Sequence, residues 1–597
     1  MHDLNLGVIG NGTFSALIDR QGRIVWCCMP RFDGEPVFLD LLGDSARPVT
    51  ERQGLFEIEV IGLAHCQQDY LENTAVLVTR LEDSTGSVVE ITDFAPRFRR
   101  FDRQFRPMTL VRRLRAGRGT PRLRIRLRPV FDYGATPPVI THGSNHIRYV
   151  GPRFTLRLTT SAPVTYILQE TSFYLEEPLA FFLGPDESLS GSVVELTHDF
   201  LERTIRYWRE WVRHLAVPLE WQRAVIRAAI ALKLCVFEET GAVIAAMTTS
   251  IPEAPNSGRN WDYRFCWLRD AFFVVRALNR LGAVDIMENY LRYLRNLVAE
   301  AEDGHLQPVY GIGLEKKLIE REITSLPGYR GMGPVRVGNQ AYEHLQYDVY
   351  GDVILASTQA FFDERLLRTL GKADFAELEV IGERAFKLHD QPDAGMWELR
   401  TKEKIHTSSS LMCWAACDRL AKIAVHLGLA PRAQLWRERA SLIHGAITER
   451  AWNSDLNAFA DSLGGASLDA SLLLMAEVGF LEPRDPRFVA TVTALETALR
   501  RGKNMFRYVT ADDFGLPKMA FNICTFWYIE ALAVMGREAE AREIFEHMLA
   551  SCNHVGLLSE DLDPDSHELW GNYPQTYSLV GIINAARRLT RRWEDVL

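Results

Sequence analysis

The chain has 597 residues, 47% apolar, 24% charged and 10% aromatic, without low-complexity tracts, which excludes disordered and collagen-like classes. Its 77 acidic and 68 basic residues give a net charge of −9 spread along the whole length, so nothing in the totals calls for a nucleic-acid partner. The length calls for a small number of large domains. The opening "MHDLNLGVIGNGTF" lacks a basic segment followed by an apolar one, and no apolar run approaches the ~20 residues of a membrane span, so a cytoplasmic chain with no membrane partner is expected. The 9 cysteines are an odd number and lie mostly in apolar segments, as reduced core residues do. Cys413 and Cys417 are one helical turn apart, but no second pair or nearby histidines complete a metal set, and no metal is expected.

Residues 1 to about 190 alternate apolar and polar side chains between frequent turns, as in "GLFEIEVIG", "SVVEITDFAP" and "RFTLRLTTSAP". Such a pattern predicts an antiparallel β-sandwich. The stretch "GNGTFS" resembles a phosphate loop only superficially, because no GxGxxG and no helix follow it, and it is read as a turn. The basic run at 97–129 alternates in a strand-like way and is read as a sheet with a solvated face. A helical period then starts in "ELTHDFLERTIRYWREWVRHL", which predicts a linker helix. The expected organisation is therefore an α+β chain of two domains: a sandwich over 1–194, a linker over 195–217 and a helical domain over 218–597.

From residue 218 onward about twelve helical segments are expected, beginning near 218, 269, 284, 339, 364, 407, 431, 466, 487, 520, 539 and 573. Twelve helices joined as six hairpins make an (α/α)6 barrel. A solenoid is the alternative, but no fixed repeat of ~34–45 residues is present. The long loops 239–268, 302–338, 389–406, 502–519 and 552–572 are rich in Trp, Tyr, Gly, Asn and carboxylates, and at one end of a barrel they would form one pocket.

Three stretches carry candidate chemistry. "NWDYRFCWLRDAFFV" (260–274) places Trp261, Asp262, Trp267, Arg269 and Asp270 just before a helix. A guanidinium and a carboxylate would fix sugar hydroxyls while an aromatic face covers the C–H face; a buried ion pair at a helix start is the structural alternative. In "DAGMWELRTKEKIHTSSS" (393–410), Glu398 follows Trp397, and an aromatic wall desolvating the carboxyl would suit a general acid; a plain pairing with Arg400 is the alternative. In "GLLSEDLDPDSHELWGNYPQTYS" (556–578), Asp561, Asp563 and Asp565 have the first spacings of an EF-hand, but Ser566 and Asn572 stand where Gly and Glu are required. There Glu560 ends an apolar run and can face a pocket, with the aspartates facing solvent or capping a turn. Two carboxyls on separate loops, Glu398 and Glu560, match the apparatus for glycoside hydrolysis: about 6.5–9.5 Å apart in inverting enzymes and about 5–5.5 Å in retaining ones.

These stretches, with "LIDRQGRIVWCCMPRFDGEPVF" (17–38), "GNQAYEHLQYDVYGDV" (338–353) and "FNICTFWYIEALAVMGR" (521–537), resemble the bacterial branch of glycoside hydrolase family 15, the glucoamylase and trehalase-like enzymes, in order along nearly the whole chain. The resemblance implies a sandwich, a linker and a barrel, exo-attack on α-glucosidic bonds and inversion. It makes Glu398 the general acid and Glu560 the general base, Arg269 and Asp270 binders of the terminal glucose, and Trp397, with Trp267 beside it, a wall of that subsite. No cofactor is implied, and the expected partner is an α-linked glucose disaccharide or oligosaccharide. Lys518 or Met519 stands where relatives often carry an acidic residue, which would bear on substrate preference. Two other readings stay open: a phosphorylase on the same architecture, and a non-catalytic sugar-binding protein.

Overall fold

The alternating segments pair into two antiparallel sheets in the computed structural model, which describes residues 2–596. One sheet orders the strands Leu6–Gly10, Ser15–Asp19, Ile24–Cys28, Leu55–Val60, Arg122–Arg128 and Phe173–Tyr174. The other orders Val139–His142, His146–Val150, Thr155–Thr160, Leu179–Pro185, Leu110–Arg118, Val88–Phe94, Leu77–Asp83 and Leu63–Tyr70. Their apolar faces meet; Phe56 of the first packs edge-on against Phe181 of the second at 5.9 Å.

The basic run resolves into strand chemistry. In Arg122–Arg128 the side chains of Leu123, Ile125 and Leu127 are buried in the sandwich, while the arginines fall on the other face. There Arg124 and Arg126 meet Glu59, Arg126 also meets Glu57, and Arg128 meets Glu170, so the face is neutralised by acids on neighbouring segments. Helix α1 (Val164–Leu168) and helix α2 (Val193–Arg213) follow. Ser192 caps α2 by accepting the N–H of Glu195, and Leu201 packs on the outer face of the second sheet with Phe94, Val111 and Phe182.

The rest is helical: α3 (Gln222–Leu234), α4 (Leu268–Arg280), α5 (Val284–Ala299), α6 (Asp348–Thr358), α7 (Lys372–Leu388), α8 (Thr407–His426), α9 (Ala430–Arg450), α10 (Leu474–Glu477, continuing a 3₁₀ turn over Ala470–Leu473), α11 (Pro486–Leu499), α12 (Asn522–Val534), α13 (Glu538–Ala550) and α14 (Thr576–Leu589). From α4 the even-numbered helices follow one another, α8 through the 3₁₀ turn Ala470–Leu473 that opens α10, and α14 returns to α4, closing an inner ring; the odd-numbered ones pack outside it. This is the expected (α/α)6 arrangement.

Three expected helix starts were well off; at 466 the chain passes through the 3₁₀ turn Ala470–Leu473 before α10 begins at Leu474. The segment at 339 is a 3₁₀ turn, and α6 begins at Asp348. The segment at 364 is a turn in which Asp363 accepts from Arg365 and Gln359; α7 starts only after Gly371, whose N–H is held by Asp374. At 339 and 364 local side-chain acceptors compete with the helix, which apolar spacing alone does not register. Among the described residues no helix is long and apolar enough to cross a membrane.

The sandwich buttresses the helical part. The indole N–H of Trp26 donates to the Met247 carbonyl at 2.8 Å. The fully buried Arg264 grips Asp262 through two nitrogens and donates to the Gly34 carbonyl. Asn553 and Tyr573 donate to carbonyls of the first strand, so loops leading to α4 and α14 rest directly on the sheet.

Candidate active site

The N-termini of α4, α12 and α14 border an open cavity of about 880 Å³. Unpaired N–H groups and the helix dipoles make that end favourable for acceptors and negative charge. Four of the five long loops line the cavity directly, through Glu253 and Tyr263, Met396–Arg400, Arg507 with Asp512–Phe514, and Glu560. The loop 302–338 does not, contrary to expectation: its Glu320 ties Arg400 from behind, at 2.8 and 3.1 Å, and the wall on that side comes from Asn339, Ala341 and His344.

Glu398 and Glu560 both face this cavity. Glu398 closes a tight turn in which its own N–H donates to Gly395 and that of Leu399 to Ala394. The turn holds Glu398 at φ 58, a left-handed conformation that costs a non-glycine residue about 1–3 kcal/mol. The Trp267 indole N–H donates to Glu398 Oε1 at 2.6 Å, and Arg269 lies 3.7 Å from the same oxygen. The setting is thus more polar than the aromatic wall expected, and Oε2 is left for other work.

Glu560 is pinned by backbone bonds on both sides, from its N–H to the Asn572 carbonyl and from the Asn522 N–H to its own carbonyl. The Tyr263 hydroxyl donates to its Oε1 at 2.6 Å. Burial first, and then the charge of Glu253, push this carboxyl up to about 8 against the pull of Tyr263 and Arg507. Tyr263 is itself driven upward by burial and by Glu560, which keeps its hydroxyl a donor. Tyr263 and Trp267 pack edge to face at 5.3 Å, so one loop supplies both aromatic groups that hold the two carboxyls.

Arg269 and Asp270 open α4, 3.3 Å apart. Arg269 also donates to the Met396 carbonyl at 2.9 Å and lies 3.8 Å from Asp348. Burial pushes Asp270 up to about 6, offset in part by Arg269. Among the described residues, Arg269 Nε and Asp270 Oδ2 are buried without a hydrogen-bond partner, and both residues line the cavity. Trp397 is half-buried on the cavity wall, its N–H given to Asp469 at 3.0 Å and its ring packed on Phe521. Trp267 also borders the cavity, but its indole N–H is already engaged with Glu398.

Sequence reasoning did not single out Tyr263, Glu253 or Arg507. Glu253 is a largely buried residue of the cavity wall, where Arg507 donates to it at 2.6 Å and the Trp261 indole at 3.0 Å. The acidic turn splits in two. Asp563 does scaffold the turn, accepting from the N–H of Asp565 and Ser566. Asp561, expected at the surface or in the turn, is instead only 3% exposed, because its strand Asp561–Leu562 pairs between Ala520–Phe521 and Leu569–Trp570. Neither Lys518 nor Met519 lines the main cavity; both border a smaller one behind it that includes Asp561.

With this geometry in hand, residues 221–587 match the family model of glycosyl hydrolases family 15, and residues 4–174 match that of the trehalase-like N-terminal region. The chain is 30% identical to the trehalase of Thermoplasma volcanium, over 98% of this chain and 93% of that one. It is 31% identical to the trehalase of Mycobacterium tuberculosis, over 97% and 88%. A crystal structure of a bacterial glucoamylase complexed with acarbose, 13% identical, shares the fold with a TM-score of 0.68 over 98% of this chain and 94% of that one. The family match over the whole inner ring and the near full-length relatives show that the chain belongs to the glycosyl hydrolases family 15.

Proposed function

We propose that this glycoside hydrolase releases glucose from trehalose, inverting the attacked anomeric carbon, with Glu398 as general acid and Glu560 as general base. The observation that carries the reading is the pair of carboxyls on separate loops facing one cavity, each held through a single oxygen by an aromatic donor from a shared loop. Arg269 and Asp270, with unpartnered polar atoms in the cavity wall, take hydroxyls of the terminal glucose, and Trp397 covers its apolar face.

In the reaction, Glu398 gives its proton to the glycosidic oxygen as the C1–O bond breaks. A water on the opposite face of the ring loses a proton to Glu560, and its oxygen bonds C1. Trp267 occupies Glu398 Oε1, which reserves Oε2 for the transferred proton.

Near full-length similarity to proteins named trehalase supports trehalose as the substrate. Rates on trehalose, maltose, isomaltose and soluble starch, with and without phosphate, test it. Fastest glucose release from trehalose, indifferent to phosphate, is expected; release that requires phosphate, or none from any substrate, contradicts the reading.

A further inference from the structure

Glu560 has a neighbour that the reaction as written does not use. Among the described residues, Glu560 Oε2 and Asp561 Oδ2 are both buried without a hydrogen-bond partner, on side chains only 1% and 3% exposed. Both point at Gly571, across the strand pair from Glu560. A Cβ there would sit 2.8 Å from Glu560 Oε2 and 2.9 Å from Asp561 Oδ2, so the two orphan oxygens flank one point within direct or single-water hydrogen-bonding reach. Gly571 also has φ 73, and its N–H is held by the Pro252 carbonyl at 2.8 Å. Only glycine fits there without pushing the carboxyls apart.

Two buried carboxyls that flank one point repel when both are ionised, and one proton shared between them, directly or through one water, satisfies both orphan oxygens. The environment decides where it rests. Glu560 already receives a hydrogen bond from Tyr263 on Oε1, which favours its ionised form. Among the described residues, no group donates to Asp561 Oδ2. The other charges facing the pair are Glu253 and Asp270 on the acidic side and Arg507 and Arg259 on the basic side.

We propose that Asp561 is a positioning residue that holds the single proton of a Glu560–Asp561 pair and donates it to Glu560 Oε2, so that Glu560 remains a carboxylate with Oε1 turned to the substrate water. This rests on Glu560 being the general base. It removes a difficulty in that assignment: burial and the charge of Glu253 push Glu560 toward its protonated form, in which it is idle as a base. The proton on Asp561 neutralises the like charge next door and supplies the donor that Oε2 lacks.

Asp561→Asn and Asp561→Ala separate this role from a structural one. Asparagine can replace the donor, and alanine cannot. The acid limb of the kcat/KM profile on an α-glucoside is expected to stay in place in Asp561→Asn and to move up by about one pH unit or more in Asp561→Ala. Infrared difference spectra do not depend on activity: above the bands of other protonated carboxyls such as Glu398, the wild-type-minus-Asp561→Asn spectrum at pH 7 should show one further protonated-carboxyl carbonyl band, present in the wild type and lost in the variant. If the wild type is active and both variants keep its acid limb, or the infrared band survives in Asp561→Asn, the proton assignment is overturned. A wild type inactive on every α-glucoside overturns the reading of the site, and this one with it.

Discussion

At the scale of single residues the two carboxyls are distinguished by which step each serves. An activated leaving group such as fluoride needs no acid, whereas every substrate needs the attacking water to lose its proton. Glu560→Gln is therefore expected to cut kcat on both trehalose and α-glucosyl fluoride by about 10²–10⁴ with little change in KM. Glu398→Gln should lose trehalose turnover by a similar factor and keep most of its rate on the fluoride. Equal losses on both substrates for Glu398→Gln would contradict its role as the acid. Glu398, Glu560, Arg269 and Asp270 were legible because each sits in a short run whose residue types already imply chemistry. Tyr263, Glu253 and Asp561 were not, since their meaning depends on burial and on partners far along the chain: Tyr263 meets Glu560, and Glu253 meets Arg507.

At the scale of elements, the inner helices bring acidic groups to their N-termini and bury them there. Asp393, in the loop before α8, accepts from the Tyr347 N–H at 2.8 Å and the Ser409 hydroxyl at 2.7 Å through one oxygen, while the other has no partner among the described residues. Burial, and then the charge of Asp348, push it up to about 7. Since an exposed aspartate titrates near ~3.9, folding favours the protonated form. That contribution is whole below about pH 4 and is lost as pH rises through 7. Asp393→Asn keeps the acceptor and removes the titration, so its melting temperature relative to wild type should rise by about 1–3 °C between pH 5 and pH 8 in scanning calorimetry. A difference that does not change with pH would contradict it. The even spacing of apolar residues made the twelve helices legible as helices. Their exact starts were not, because Asp363, Gly371, Asp469 and Gln575 set them through local caps and turns.

At the scale of the whole molecule, the sandwich acts as the support on which the catalytic loops rest. Arg264 lies one residue after Tyr263, grips Asp262 and donates to the Gly34 carbonyl of the sandwich, and Tyr573, in the segment that leads into α14, donates to the Leu6 carbonyl at 2.5 Å. Cutting the chain to residues 214–597 would expose the apolar seam and leave the guanidinium of Arg264 without its Gly34 partner. That fragment is expected to be insoluble or inactive; a soluble fragment with wild-type kcat/KM would show that the sandwich does not position the site. The two architectures were legible from the change of hydrophobic period, but their contact was not, because it is made by single polar groups such as Trp26 and Asn553 in otherwise ordinary segments. The central claim, direct displacement by water with Glu398 and Glu560 on opposite faces of the bond, has a signature in the first product. Trehalose digested in an NMR tube and read before mutarotation should give α- and β-glucose in equal amounts, since the attacked ring inverts and the departing ring keeps its configuration. α-Glucose alone would contradict inversion.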